Sequence, residues 1–93
     1  MAHLITHFWP GATKDQYDAT VAVVHPPGGL PEGQIYHAAG STEGGILIAA
    51  VWESKDQFDR FLRDKLMASM PIEGGFQGQP EERTAEIVNL VST

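Results

Sequence analysis

Ninety-three residues with 42% hydrophobic content suffice for one domain with one modest core. The absence of cysteine excludes disulfides, thiolate metal sites and cysteine nucleophiles together. A net charge of -6 with only six Lys and Arg speaks against a nucleic-acid partner.

The longest uncharged apolar run, Gly44 to Trp52, is far too short to span a bilayer, so no membrane association is expected. The opening MAHLITHFWPG has neither a basic leader nor a long apolar stretch, so no signal peptide is expected and a cytoplasmic location follows. Lys55, Arg60, Arg63 and Lys65 share one helix with Asp56, Asp59 and Asp64, which describes a solvated face and not a basic patch.

Taken in chain order, His3 to Trp9 is rich in β-favouring residues and stops at Pro10-Gly11, which predicts a first strand. Leu4, Thr6 and Phe8 fall on one of its faces; His3, Ile5, His7 and Trp9 fall on the other. Thr13 with Gln16 three residues later forms a capping-box pattern. Tyr17, Val21 and Val24 recur at helical spacing, so a first helix is predicted from about Lys14 to His25, ended by Pro26-Pro27-Gly28-Gly29.

Gln34 to Thr42 predicts a second strand, turning through Glu43-Gly44-Gly45 into a third, Ile46 to Trp52, as a β-hairpin. Ser54 and Gln57 offer a second capping box. The following helix presents Phe58, Phe61, Leu62, Leu66 and Met70 as its buried stripe and ends at Pro71. PIEGGFQGQPEE, residues 71–82, is expected to be a mobile or partner-docked loop, and Thr84 to Val91 the fourth strand.

The order β-α-β-β-α-β is that of the ferredoxin-like split βαβ arrangement, an α+β fold with a four-stranded antiparallel sheet and both helices on one face. Strands one and three are then central. The third strand is apolar at every position, so its second face, Leu47, Ala49 and Val51, also needs cover. A chain of this length has nothing left to supply it. A homodimer packed sheet to sheet is therefore expected.

Element order, length and the segment VWES-KDQFDRFL resemble the dimeric α+β barrel superfamily, in particular its antibiotic-biosynthesis-monooxygenase-like domains. The resemblance spans His3 to Val91. It implies a dimer with a pocket between sheet and helices that takes a small hydrophobic or aromatic ligand. The activities it implies range from cofactor-free oxygenation to haem degradation, cyclisation and isomerisation. Haem degradation fits poorly: no histidine lies between Ser54 and Met70 to ligate iron, and the only asparagine, Asn89, is far from the first strand.

Among the histidines, His3 and His7 share a strand face but stand roughly 13 Å apart at strand rise, too far to hold one metal ion. His25 reads as a cation or donor at a helix C-terminus. His7 and His37 remain as candidate general bases, because imidazole titrates near neutrality. Trp9, Tyr36 and Trp52 are candidate substrate-binding residues, offering flat apolar surface with a polar tip. Each of the five has an alternative reading as packing in the core or at a dimer interface. No metal or cofactor is expected. The leading expectation is a cofactor-free monooxygenase-like enzyme acting on an aromatic or polyketide-like substrate. The alternatives are a non-catalytic dimeric ligand-binding or assembly module, and a cyclase or isomerase on the same scaffold.

Overall fold

The structure, a computed structural model, describes residues 2–91. Its elements are β1 (His3–Pro10), α1 (Lys14–Val24), β2 (Gln34–Thr42), β3 (Gly45–Trp52), α2 (Lys55–Phe61) continuing as a π-helical turn (Leu62–Met67), and β4 (Glu81–Glu86). The sheet is antiparallel in the order β2-β3-β1-β4, so β1 and β3 are central. This is the ferredoxin-like α+β arrangement that the pattern predicts.

Local chemistry explains most boundaries. Thr13 and Gln16 close a full capping box on α1: the Thr13 hydroxyl accepts from the Gln16 N–H, and the Gln16 side chain accepts from the Thr13 N–H. At α2 only half of the predicted box forms. Ser54 accepts from the Gln57 N–H, while the Gln57 side chain meets the Ser54 hydroxyl and Glu53 instead of the capping backbone. At the hairpin end of the sheet, Gly45 packs against β1 so tightly that a Cβ there would run into the Trp9 carbonyl. That contact ties the β2–β3 turn to the end of β1, where the Gly11 N–H donates to Gly44.

Two expectations are corrected by the C-terminal third. β4 occupies Glu81–Glu86 and not Thr84 to Val91, because Glu82 pairs across from His7 and Thr84 across from Ile5. The chain from Ile87 to Val91 lies outside the sheet ladder, apart from the Ile87 N–H bonded to the Ala2 carbonyl. Nor is the preceding stretch a mobile loop. Ile72 and Phe76 are buried, and the Phe76 N–H donates to the Thr20 hydroxyl at 3.0 Å. The segment folds back over α1 because two apolar side chains among its glycines find cover there.

Strand pleating divides the sheet into two environments. On the helix side, Ile5, His7 and Trp9 of β1 meet Ile46, Ile48, Ala50 and Trp52 of β3, and all are buried. The core there has two apolar clusters. One holds Ile5, Ala50, Trp52 and Phe58; the other holds Trp9, Ile46, Ile48 and Phe76. On the opposite side, Leu47 is 47% exposed, Ala49 is exposed and Val51 half-buried, so none of the described residues covers that face. Among the described residues, no helix is long and apolar enough to cross a membrane.

Candidate functional site

Between the two apolar clusters lies a cavity of about 60 Å³, walled by sheet, α1, α2 and the 71–80 segment. The sheet contributes His7 and Trp9 from β1, His37 from β2 and Trp52 from β3; Tyr17 and His25 come from α1 and its end. Of the five residues singled out in the sequence, the fold thus brings four together: His7, His37, Trp9 and Trp52. Tyr36 is not among them. It pairs with Val51 on the uncovered face of the sheet and is 43% exposed, with Tyr17 supplying the phenol of the cavity instead.

The register of β4 gives His7 a partner that strand one could not. His7 Nε2 stands 2.8 Å from Glu82 Oε2. Opposed residues in an antiparallel pair point to the same face, so the pairing of His7 with Glu82 places imidazole and carboxylate side by side. An ionised carboxylate accepts from Nε2–H, which fixes the tautomer with the lone pair on Nδ1. The ring itself is almost buried and leans on Phe58, centroids 6.0 Å apart.

A second polar group lies across the cavity. Tyr17 Oη and His37 Nε2 are 2.6 Å apart, and the His25 ring meets His37 edge-on at 4.9 Å. Burial lowers the pKa of His37 below its ordinary value. Burial, reinforced by His37, does the same for His25. Burial first, and Asp18 second, raises that of Tyr17. Each of these shifts favours the neutral form of its group. His25, expected as a cation or donor at the helix end, closes α1 through its backbone N–H, which donates to the Val21 carbonyl, and turns its ring toward His37 and Phe61.

Three cavity residues carry buried polar atoms without a hydrogen-bond partner: His37 Nδ1, Trp52 Nε1 and Gln34 Oε1. An unmade bond of this kind costs about 1–3 kcal/mol, and such groups are few in native proteins. Three around one cavity form a polar lining able to bind a ligand. The aromatic walls suit a planar one: Trp52 packs against Phe58 and Phe61 at 5.7 and 5.2 Å, and Trp9 stacks on Phe76 at 4.4 Å. Among the described residues, no group of three or more His, Asp and Glu gathers closely enough to hold a metal ion.

Sequence reasoning missed Glu82, Tyr17 and the second role of His25. Glu82 falls in the expected 71–82 loop, although Glu82, Thr84 and Glu86 alternate as one strand face after Pro80. Tyr17 carried only its helical spacing as a signal. The π-helical turn at Leu62–Met67 has no sequence signature comparable to a proline or glycine.

No family model matches the chain, and no curated protein matches it in sequence. Solved structures do match its fold. A putative antibiotic biosynthesis monooxygenase from Chloroflexus aurantiacus aligns with a TM-score of 0.66 at 16% identity, covering 99% of this chain and 98% of that one. SnoaB, a cofactor-independent oxygenase from Streptomyces nogalater, aligns at 0.59 and 14% identity, over 99% and 97% of the two chains. The ActVA-Orf6 monooxygenase of Streptomyces coelicolor, solved with Nanaomycin D, aligns at 0.53 and 16% identity, over 99% and 91%. At such identities the likeness is one of fold.

Proposed function

Proceeding from the fold of the antibiotic-biosynthesis-monooxygenase-like domains, we propose that this chain is a small-molecule enzyme that oxygenates an aromatic, polyketide-like phenol without a bound cofactor. The observation that carries the reading is the His7–Glu82 pair in the wall of an aromatic-lined cavity. Glu82 orients the imidazole, and Nδ1 is the nitrogen left to take the proton of a phenol or enol. The resulting anion is electron-rich and reacts with oxygen, the second substrate: one oxygen atom becomes a quinone carbonyl at a ring C–H, and the other leaves as water with the phenol and ring hydrogens, so the substrate itself supplies all four electrons. Trp9 and Trp52 flank the ring. The Tyr17–His37 pair, whose neutral forms burial favours, hydrogen-bonds the substrate's oxygen on the far side.

SnoaB and ActVA-Orf6, an oxygenase and a monooxygenase on this fold, support the choice of oxygenation over other base-dependent chemistry. Association sheet to sheet as a homodimer belongs to the same proposal. The uncovered face carries Leu4, Phe8, Leu47 and Val51, an apolar surface that a second copy would bury.

Oxygen uptake by the purified protein, tested on hydroxynaphthoquinones and anthrones, checks the reading. His7→Gln is expected to lower turnover by about 10²–10⁴, the usual contribution of a positioned base. Glu82→Gln keeps the shape and removes the charge, and should fall between that variant and the unaltered protein. Turnover that is indifferent to both substitutions would refute the assignment of the base. Turnover without oxygen uptake would favour cyclisation or isomerisation by the same pair.

A further inference from the structure

The cavity at His7 is small for an aromatic substrate. About 60 Å³ holds a few waters or the edge of one ring, whereas ligand sites are commonly about 300–1,000 Å³. A second depression, of about 390 Å³, lies outside it between the end of α1, the 26–33 loop and α2. The two share Val24, His25 and Phe61, so those side chains form the partition between them. A molecule that reaches His7 with one end therefore leaves most of its body in the outer groove.

The charge of that groove is uneven. Arg60 and Lys65 line it, and neither is in an ion pair among the described residues. The groove's two carboxylates are Asp64 and Glu32, and Asp64 is already engaged by Arg63, Nε to Oδ1 at 2.8 Å. Arg60, Arg63 and Lys65 thus surround one carboxylate, and Glu32 alone remains to offset the excess.

The π-helical turn coincides with this place. Leu62–Met67 follows Phe61 directly; within it Leu66 faces the inner cavity, while Asp64 and Lys65 line the outer groove. A wider turn rotates successive side chains by a smaller angle than an α-helix does. That difference lets one short segment serve both compartments. Such turns inside α-helices are frequently found at functional sites.

We infer that the outer groove is the entrance to the site and selects an elongated aromatic substrate with an anionic group, such as a carboxylate, at the end remote from the reacting phenol. Resting on the proposed function, this assigns the hydroxyl-bearing edge to His7 between Trp9 and Trp52, the rest of the ring system to the partition at Phe61 and His25, and the anion to Arg60 and Lys65. The two side chains are exposed, so they contribute to selection and capture, with little effect on folding.

Two probes of equal ring size test it: 2-naphthol, and 6-hydroxy-2-naphthoate, which carries a carboxylate opposite its hydroxyl. Binding is followed by quenching of Trp9 and Trp52 fluorescence at low salt. The carboxylate probe is expected to bind about tenfold more tightly, a preference that shrinks in 0.5 M salt. The double variant Arg60→Gln/Lys65→Gln should erase the preference and leave naphthol affinity unchanged. Equal affinities in the unaltered protein, or a preference that survives the double substitution, would overturn the inference while the base assignment, tested by oxygen uptake, still stands. Binding of neither probe would overturn both.

Discussion

Thr20→Val isolates the contact that shapes one wall of the cavity. The Thr20 hydroxyl donates to the Gln16 carbonyl at 2.9 Å and accepts the Phe76 N–H at 3.0 Å, in a residue only 3% exposed. Valine has the same shape but cannot accept. The Gln16 carbonyl keeps its helical partner, whereas the Phe76 N–H is left buried and unpaired, at a cost of about 1–3 kcal/mol. The extra methyl returns at most about 0.8 kcal/mol. With that return in full, the net loss is about 0.2–2.2 kcal/mol. At about 4–8 °C per kcal/mol for a domain of this size, that lowers the melting temperature by roughly 1–18 °C.

Thr20→Ser retains the hydroxyl and loses only the methyl, so stability alone separates the two variants poorly. Amide hydrogen exchange separates them. The Phe76 amide should lose protection in Thr20→Val and keep it in Thr20→Ser. Gly75 permits the approach, since a Cβ there would stand 2.7 Å from the Thr20 hydroxyl oxygen. Unchanged protection in the valine variant, or equal loss in both, would refute the account of this wall. Protein concentration must be held fixed, because self-association alters apparent stability.

Two further outcomes follow from the same geometry. His25 and His37 have folded-state pKa values lowered from 6.5, so the unfolded chain binds more protons than the native one just below that pH. Stability present above about 6.5 should fall as the pH drops through the window beneath it, and His37→Gln should flatten urea midpoints measured across that window. Leu47→Glu places a charge at the centre of the uncovered sheet face; sedimentation velocity should show a dimer for the unaltered protein and a monomer for this variant. A monomer in both cases would remove the sheet-to-sheet assembly.

The sheet and helices were legible because their signals are local. Alternation in HLITHFW, the capping pairs at Thr13 and Ser54, and the two-proline stop after His25 each act within a few residues. Topology followed from the order alone. The site was only half legible. His7 and Trp9 share a face by strand parity, and Trp52 must lie under the helix that follows it. Glu82 is 75 residues from His7, and its place depends on where β4 begins. The strand begins at Glu81, three residues before Thr84, and that start is what sets the carboxylate opposite His7. Tyr36 was misplaced by a comparable detail: the register shift between Gln34 and Tyr36 decides which face each presents.

The division of the core into two clusters has an energetic meaning. A stable domain of this size has a margin of about 5–15 kcal/mol. Polar atoms on Gln34, His37 and Trp52 that lack a protein partner would each cost about 1–3 kcal/mol of it unless water or a ligand in the cavity bonds them. Leucine or phenylalanine at position 37 would join the Trp9–Ile48–Phe76 cluster to the Ile5–Trp52–Phe58 cluster and fill the gap. Instead the seam holds His7, Tyr17, His25 and His37. Packing alone does not require four polar rings where apolar ones fit. On the proposed function, a ligand that hydrogen-bonds them would stabilise the native state by mass action.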